Sequence, residues 1–475
     1  MLCLRQFNIS YSLSILGSLL YAFLPYHFLR GISHLFLAAY YIVPLVIMVI
    51  IWIYEGRPLL FSQNQGKISL DVINPRSLAS IFICILVSLV FFYYAFFSCF
   101  LLLVSGISLY LAKRNKLSLL ISGCLIAIIV LGAFFNAAPT LLYQQEQGKN
   151  PTAAMRSPAE AEVYGLKITQ LLLPVQGHRI PLFAKIRQIY ASTTPLPAEG
   201  CNPLGIIGSI GFLILILWSL LRIASELGPR VSFREKELNC LSILNLSAVL
   251  LSTMGGFGSI IAYSLWPQIR CYNRISIFIG FFCIFAVLIL LEYFRKVYVH
   301  GKYSRLMYLG LLGIFLVVGV LDQTTPSFIP PYDYIKGEFL NDAEFVNIIE
   351  KEMPEGSMIF QLPHVPFPEN PPVNKMLDYS HLKGYLHSKN LRWSYGVMKG
   401  REGDIWQESV AAQPVKEMVG DLFANGFRGI YVDTYGYEDS GAQILQNLSG
   451  ILKIEPLVSP NGRLYFFRLK SGNSI

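Results

Sequence analysis

The sequence has 475 residues, of which 54% are hydrophobic and only 14% are charged, and its formal net charge is +9. Soluble proteins carry about 25% charged residues, so this composition excludes an ordinary soluble globular protein. Residues 331–475 contain 14 Lys and Arg against 18 Asp and Glu, a net charge of −4, which leaves +13 (9 minus −4) for residues 1–330. The basic residues lie at the ends of apolar runs rather than in one patch, which argues against nucleic acid binding.

Nine apolar stretches with almost no charge predict membrane-spanning helices. They are residues 9–25, 35–54, 78–91, 93–111, 117–136, 204–221, 241–263, 276–294 and 306–321. The stretch 78–111 is about twice the length that a span needs, so it is either two short spans or one long tilted helix. After Asp322 no run approaches that length. The predicted fold is a polytopic α-helical membrane protein of about nine spans, residues 1–322, with a C-terminal extracytoplasmic α/β domain, residues 331–475.

Three short basic loops predict the orientation of these spans. Their basic residues are Lys113, Arg114, Lys116, Arg222, Arg230, Arg234, Lys236, Arg295, Lys296, Lys302 and Arg305. The positive-inside rule places these loops in the cytoplasm, and the long loop 137–203 and the C-terminal domain outside. We expect a multi-pass protein of the bacterial cytoplasmic membrane. Its positive charge either contacts anionic lipid head groups or only sets the topology.

Basic side chains on the predicted outer side form a candidate lipid-phosphate site. They are His27, Arg30, His34, Arg270 and Arg274. Arginine binds phosphate oxygens bidentately, and two arginines four residues apart share one face of a helix. Interfacial anchoring is the alternative for the first three residues. For Arg270 and Arg274 the alternative is a salt bridge to a carboxylate of the long loop.

Two glutamates of the long outer loop, Glu160 and Glu162, are candidates for a general base. They lie in a segment whose aromatic and aliphatic residues alternate with charges, which predicts a short amphipathic helix. Loops of this length are usually functional or disordered, and this composition favours order. The alternative is that they are ordinary charges of a surface helix.

The C-terminal region alternates helix and strand patterns. Helices are predicted at residues 343–351, 415–424 and 444–452, and strands at 358–362, 428–432 and 464–468. This alternation indicates a small α/β layer. Between them lie candidate sugar-contact residues, namely Tyr385, His387, Arg392, Trp393 and Tyr395. Aromatic faces beside polar groups suit stacking on sugar rings, and packing of the segment onto protein is the alternative.

Several motifs of soluble enzymes are missing from the sequence. It contains no phosphate-binding P-loop, no G-x-S-x-G, no H-E-x-x-H and no C-x-x-C. The cysteines lie mostly in or beside apolar stretches, so neither a metal site nor a disulfide framework is indicated. No cofactor is evident, although a divalent cation stays compatible with the sequence.

Several segments resemble one family of membrane proteins. They are residues 20–31 (LYAFLPYHFLRG), 34–35, 40–44 (YYIVP), 93–97 (YYAFF), 270–274 and 391–396. The chain looks like bacterial sugar-translocase-like membrane proteins, which are similar to polytopic GT-C glycosyltransferases and to YfhO-type proteins. The resemblance covers nearly the whole chain.

The resemblance implies a membrane glycosyltransferase that uses a polyprenyl-phosphate-linked sugar on the outer face of the cytoplasmic membrane. It implies a glycan or lipid acceptor of unspecified kind, and an acidic residue of the first outer loop as the base. Here the first outer loop, residues 26–34, has no Asp or Glu. We therefore expect that the family's N-terminal spans are missing, by a misplaced start or a truncation, or that the chain is a partner subunit.

Two further readings belong to other functional classes. One is a non-catalytic membrane subunit, or a truncated remnant, that binds a lipid-linked sugar. The other is a solute transporter. The transporter is the weaker, because no carboxylate deep inside a span and no clear inverted repeat supports it.

Overall fold

The structure is a computed structural model that describes residues 1–31, 34–64, 67–195, 202–224 and 234–469. These residues cluster into two compact units. The helical unit comprises Met1–Leu142 and Arg156–Ile329, and the sheet unit comprises Tyr143–Met155 and Pro330–Ile475. Residues 143–155, which belong to the predicted long loop 137–203, thus cluster with the C-terminal region.

The helical unit contains sixteen described helices and one β-hairpin. The helices are α1 Leu2–Gln6, α2 Tyr11–Ala22, α3 Pro25–Gly31, α4 Leu35–Ala38, α5 Ile42–Glu55, α6 Pro75–Val90, α7 Phe92–Lys113, α8 Lys116–Gln147, α9 Glu160–Val163, α10 Ile168–Leu172, α11 Pro181–Thr193, α12 Gly205–Ala224, α13 Glu235–Ser252, α14 Phe257–Ser264, α15 Ser276–Tyr298 and α16 Lys302–Gln323. The hairpin pairs β1 Leu60–Asn64 with β2 Lys67–Asp71 antiparallel. The sequence patterns did not predict this hairpin.

Six helices of the described chain are long and apolar enough to cross a membrane, so the protein is a multi-pass membrane protein by helix length and hydropathy. They are Tyr11–Gly31, Phe92–Lys113, Lys116–Gln147, Gly205–Arg222, Tyr272–Tyr298 and Lys302–Gln323. Large side chains such as Leu213, Leu217 and Ile314 are exposed along them, as lipid contact requires. The predicted count of nine is not reproduced among the described residues.

The other three predicted spans are shorter or broken. Helices α5 and α6 have 14 and 16 residues, which at 1.5 Å per residue fall short of a ~30 Å hydrocarbon core. The stretch 78–111 is two helices, because Phe91 is extended between α6 and α7. The span predicted at 241–263 divides into α13 and α14, and a Cβ on Gly256 between them would overlap the Leu250 carbonyl oxygen.

Helices α7, α12 and α15 run in the same direction. Tyr94 near the start of α7 contacts Phe278 near the start of α15, with ring centroids 6.0 Å apart. Gly211 of α12 lies so close to Cys283 of α15 that an added Cβ would overlap its backbone. Small residues allow helices to approach this closely inside membranes. The unit therefore has one end where these helices begin and another where they end.

Basic residues predicted to be cytoplasmic gather where these helices end. Arg295 pairs with Glu292 at 2.6 Å, and Arg222 pairs with Glu235. Arg234 donates to the carbonyl of Phe7, whose ring the Arg57 guanidinium covers at 5.3 Å. We call this end the Arg222 face and the opposite end the Arg270 face. Arg230, also predicted in these loops, lies outside the described residues.

The sheet unit confirms the mixed α/β character predicted for the C-terminal region. Its helices are α17 Tyr332–Glu352, α18 Leu382–His387, α19 Glu402–Ala411, α20 Val415–Ala424 and α21 Ala442–Leu452, and its strands are β3 Met358–Leu362, β4 Arg392–Trp393, β5 Phe427–Asp433, β6 Leu457–Val458 and β7 Leu464–Arg468. The sheet order is β4-β3-β5-β7-β6. Strands β4, β3 and β5 are parallel, while β7 is antiparallel to both neighbours.

Alternation along the strands gives this sheet two apolar faces. Ile430 and Val432 of β5 pack in one cluster with residues of α20 and α21. Tyr431, between them in sequence, packs in another cluster with Phe345 and Ile349 of α17. Successive strand residues point to opposite faces, so helices cover both sides of the sheet.

Candidate functional site

The Arg270 face is built around Tyr93, which lies in the first turn of α7. Its hydroxyl accepts hydrogen bonds from the backbone N–H groups of Arg270 and Cys271, each at 3.3 Å. The guanidinium carbon of Arg274 lies 4.6 Å from the centre of the Tyr93 ring. One aromatic side chain thus holds the segment that carries both arginines at the start of α15.

The spacing of Arg270 and Arg274 predicted that they share one face of an α-helix, and the structure shows that they do not. A 3-10 turn, Tyr272–Ile275, separates Arg270 from α15. Arg274 is 7% exposed, whereas the Arg270 side chain is 28% exposed. Arg270 is therefore the more accessible of the two cations.

Glu160 is the partner of Arg270. Arg270 Nη1 donates to Glu160 Oε2 at 2.6 Å, and the Ser157 backbone N–H donates to Oε1 at 3.1 Å. Burial opposes ionisation of this carboxyl, but the hydrogen bonds from Arg270 and Ser157 outweigh it and lower the pKa of Glu160. The predicted salt-bridge alternative is thus the arrangement in the structure, with Glu160 held as a carboxylate.

Glu162 has a different partner from Glu160. Its Oε2 accepts a hydrogen bond from the backbone N–H of Gly255 at 2.7 Å. The same stretch is tied down again where the Leu166 N–H donates to the Ser252 carbonyl at 2.7 Å. The short helix α9 is present as predicted, and its two carboxylates fasten residues 157–166 to the helical unit.

The first basic group lies on α3, between α2 and α5. Arg30 is buried, and His27 is exposed with its ring 6.0 Å from that of Tyr40. The hydroxyls of Tyr26 and Tyr94 are 3.3 Å apart, and Tyr94 adjoins Tyr93 in sequence. The described contacts thus bring α3 and the Arg270 segment to the same end of the unit. That their basic side chains share one pocket remains a prediction.

His34 lies just beyond α3, at the start of α4. Its backbone N–H donates to the carbonyl of Arg30 at 2.8 Å. The residue caps α4 by position, without a hydrogen bond from its side chain to the helix. This backbone contact keeps the main chain of His34 next to that of Arg30.

A cavity of about 680 Å³ lies beside α2 and α5. Its lining is mostly apolar and includes Leu4, Tyr21, His27, Tyr40, Leu45 and Phe281. Ligand pockets usually measure about 300–1,000 Å³, with few polar groups among apolar ones. His27, on the Arg270 face, is one of its few polar lining residues.

The sequence patterns did not predict a pair on this face formed by Asp322 and the buried His178. His178 Nδ1 accepts from the Ile180 N–H at 3.0 Å, and Nε2 lies 3.3 Å from Asp322 Oδ1. Asp322 Oδ2 also accepts from the Ile206 N–H at 2.6 Å, at the start of α12. The pair fastens the long loop to two span ends. The only sequence signal was a carboxylate directly after the last apolar run.

The candidate sugar-contact residues of the sheet unit are dispersed. Trp393 donates from Nε1 to Ser388 Oγ at 2.7 Å and packs edge-on against Tyr431, with centroids 5.5 Å apart. Tyr395 packs against the buried His381, with centroids 5.5 Å apart.

The other candidates of this group lie nearer the surface. His387 packs on Phe339 at 4.7 Å, while Tyr385 and Arg392 are exposed. Because their rings contact the buried Tyr431 and His381, Trp393 and Tyr395 instead contribute to packing inside the unit.

The contact of residues 385–401 with the long loop falls within the sheet unit. Arg401 donates to the carbonyls of Gln147 at 2.6 Å and Gly148 at 2.9 Å, and Asn150 Nδ2 donates to the Lys399 carbonyl at 2.7 Å. The segment 385–401 therefore contacts the long loop at residues 147–150.

Comparison with models of known protein families gives no match, and no curated protein matches the chain. The resemblance to GT-C glycosyltransferases therefore rests on the sequence segments alone. Among the described residues, no group of three or more His, Cys, Asp or Glu side chains is arranged to hold a metal ion.

Proposed function

We propose that the protein is a membrane glycosyltransferase-like protein that binds a polyprenyl-phosphate-linked sugar at the Arg270 face. The observation that carries this proposal is the Arg270–Glu160 pair, a partly exposed cation beside a partly exposed carboxylate on the Arg270 face. A lipid phosphate can replace Glu160 on the Arg270 guanidinium, because both anions accept its paired N–H groups. The displaced carboxylate then lies beside the bound donor.

Charge on the two faces supports this choice of end. The Arg222 face contains the basic residues that the positive-inside rule assigns to the cytoplasm. Arg270 and Arg274 are cations at the opposite end, where that rule supplies no reason for them. A bound anion is one reason for placing them there, and it puts the chemistry on the outer side of the membrane.

The cavity beside α2 supplies an apolar site of the kind that a polyprenyl chain needs. Inside the bilayer a polyprenyl chain is already away from water, so close apolar packing against the cavity wall would hold it. In this arrangement the chain lies along α2 and α5, and the phosphate lies near His27 and the Arg270 segment. The sugar extends into the outer aqueous phase, where it meets a glycan or lipid acceptor.

Binding of a polyprenyl phosphate to the full-length protein in nanodiscs tests the proposal. A charge-assisted hydrogen bond contributes about 1.5–3 kcal/mol, so Arg270→Ala should weaken binding at least about tenfold. Arg222→Ala is the matched control, because Arg222 also pairs with a glutamate but lies on the other face. Equal affinities for the wild type, Arg270→Ala and Arg222→Ala contradict the proposal.

Glu160→Gln separates binding from disruption of the loop. This variant breaks the same ion pair but leaves Arg270 available, so polyprenyl phosphate should bind at least as tightly as to the wild type. Weaker binding in Glu160→Gln and Arg270→Ala alike would show that the pair only maintains the fold.

A non-catalytic protein that binds a lipid-linked sugar is the second candidate. It is favoured by the engagement of both loop carboxylates, Glu160 with Arg270 and Glu162 with Gly255. Release of polyprenyl phosphate from a labelled polyprenyl-phosphate sugar, with membrane extract as acceptor, distinguishes the two. Turnover that is lost in Glu160→Gln supports the enzyme, and binding without turnover supports the second candidate.

A further inference from the structure

The first helix of the sheet unit carries an exposed apolar stripe. Tyr332, Ile335 and Phe339 stand at positions i, i+3 and i+7 of α17, and their side chains are 67%, 49% and 60% exposed. Residues with this spacing share one face of a helix. Leu340 lies next to the stripe and is 54% exposed. The apolar residues of α17 that lie in the core, such as Phe345 and Ile349, belong to the later turns of the helix.

Helix α18 extends this stripe into a wider surface. Its Tyr385 and Leu386 are 65% and 71% exposed. Lys383 holds α18 against α17 through Asp342 at 2.7 Å, and the neighbouring His387 packs on Phe339. We call these residues the apolar patch: Tyr332, Ile335, Phe339, Leu340, Tyr385 and Leu386. Contiguous exposed apolar side chains of this number mark an interaction site rather than ordinary surface.

Chain connectivity indicates what covers the apolar patch. Residues 324–328 follow the last span and are held on the helical unit, where Thr325 Oγ1 donates to the Gly177 carbonyl at 2.6 Å and Phe328 stacks on Phe28 at 5.1 Å. Tyr332 is three residues beyond Ile329, so it lies within about 11 Å of that residue. The start of α17 is therefore tethered near the level at which the last span leaves the membrane.

The composition of the apolar patch fits the lipid head-group region. Tyrosine and phenylalanine beside aliphatic residues are typical of the membrane–water interface. Lys336 is exposed between Ile335 and Phe339, where it can contact lipid phosphates. A helix with one apolar face lies in this region with its side chains about 5–10 Å deep.

We propose that the apolar patch is a membrane-docking surface, which inserts into the phospholipid leaflet from which α16 emerges. This inference is independent of the glycosyltransferase proposal, since it concerns phospholipid and the sheet unit rather than the Arg270 face. Docking fixes the sheet unit at the membrane through α17 in addition to its chain connection.

Photo-crosslinking in nanodiscs tests this docking surface on the full-length protein. p-Benzoylphenylalanine in place of Phe339 changes an exposed aromatic residue into a similar one, so the fold should tolerate it. The same amino acid in place of Gln446, an exposed residue of α21, is the matched control. Phosphatidylglycerol adducts identified by mass spectrometry should form at position 339 and be absent at 446.

Each other outcome overturns the proposal. Crosslinks from position 339 to the protein itself or to a second copy would identify a protein contact as the occupant. Equal lipid labelling at 339 and 446 would show that the patch has no preference for the membrane. Absence of lipid adducts at 339, in protein that elutes and melts like the wild type, contradicts docking directly.

Discussion

The two units each contain an arginine–carboxylate pair, and the pairs differ in burial. In the sheet unit Arg463 bonds Asp433 through two nitrogens at 2.8 and 2.6 Å, and the two side chains are 9% and 2% exposed. In the helical unit Arg270 meets Glu160 through one nitrogen, with exposures of 28% and 23%. The first pair is closed to other ligands, while the second can be reached from outside.

This difference separates structural charge from functional charge. A buried pair that loses one partner leaves an uncompensated charge in a low-dielectric interior. A partly exposed pair is screened by water and can exchange one partner for another anion at little cost. The burial of the Arg463–Asp433 pair indicates a role in folding.

The largest expected effect is on the buried pair. Arg463→Ala leaves Asp433 unpaired and should cost about 3–5 kcal/mol, enough to unfold the sheet unit. Limited proteolysis and thermal melting of the full-length protein measure this loss. Arg468→Ala is the control, because Arg468 meets Glu352 at 3.9 Å with both side chains exposed. Equal melting temperatures for Arg463→Ala and Arg468→Ala would show that the buried pair contributes no more stability than an exposed pair.

Trp393 tests whether the sheet unit's aromatic residues serve packing or sugar binding. Its ring packs on Tyr431 and against Gly384, where an added Cβ would lie 2.6 Å from the indole. Trp393→Ala should cost about 3 kcal/mol of stability. Leu377→Ala, at a residue that is 65% exposed, should have almost no effect. A stable Trp393→Ala protein with impaired acceptor use would instead assign the residue to the site.

His381 gives a smaller, pH-dependent effect in the sheet unit. Burial lowers the pKa of this imidazole from its ordinary value of 6.5, although its contact with the Pro363 carbonyl acts in the opposite direction. The stability that it contributes is therefore complete above pH 6.5 and is lost as the pH falls through the lowered folded-state pKa. Asp433, Arg463 and His364 also act on the ring.

Melting temperatures between pH 8 and pH 5 check this dependence. The wild type should lose stability across the acidic part of that range, and His381→Gln should lose less. Parallel curves for the two proteins would assign the acid sensitivity to other groups.

The smallest expected effect is on the exposed pair of the helical unit. Glu160→Gln should change stability by only about 0.2–1 kcal/mol, as is usual for exposed ion pairs. Thermal melting of the full-length protein in detergent measures this change in stability. A loss as large as that of Arg463→Ala would mean that the Arg270 face is structural after all.

Local patterns predicted much of the sheet unit. The strands 358–362 and 464–468 and the helix 415–424 have the bounds predicted for them, because short apolar runs between turn residues have few alternatives. Helix α19 was missed, since Glu402–Ala411 is polar and buries few apolar side chains. The β1–β2 hairpin was missed as well, since each of its strands has only two apolar residues.

The site could be predicted only in part. From charge alone, the sequence offered a salt bridge between Arg270 and a carboxylate of the long loop. That this carboxylate is Glu160 depends on the packing of α9 against residues 252–255. The His178–Asp322 pair joins residues 144 positions apart, which no local pattern reveals. Contacts of this kind depend on tertiary packing, so they appear only once the helices are assembled.

The assignment of the Arg270 face to the outer side of the membrane depends on the orientation of the chain. Alkaline phosphatase, which is active only outside the cytoplasm, can be fused after Lys336 and after Arg114 in a bacterial host. The account predicts an active enzyme after Lys336 and an inactive one after Arg114. Activity after Arg114 together with inactivity after Lys336 would place the Arg270 face in the cytoplasm and contradict the proposed function.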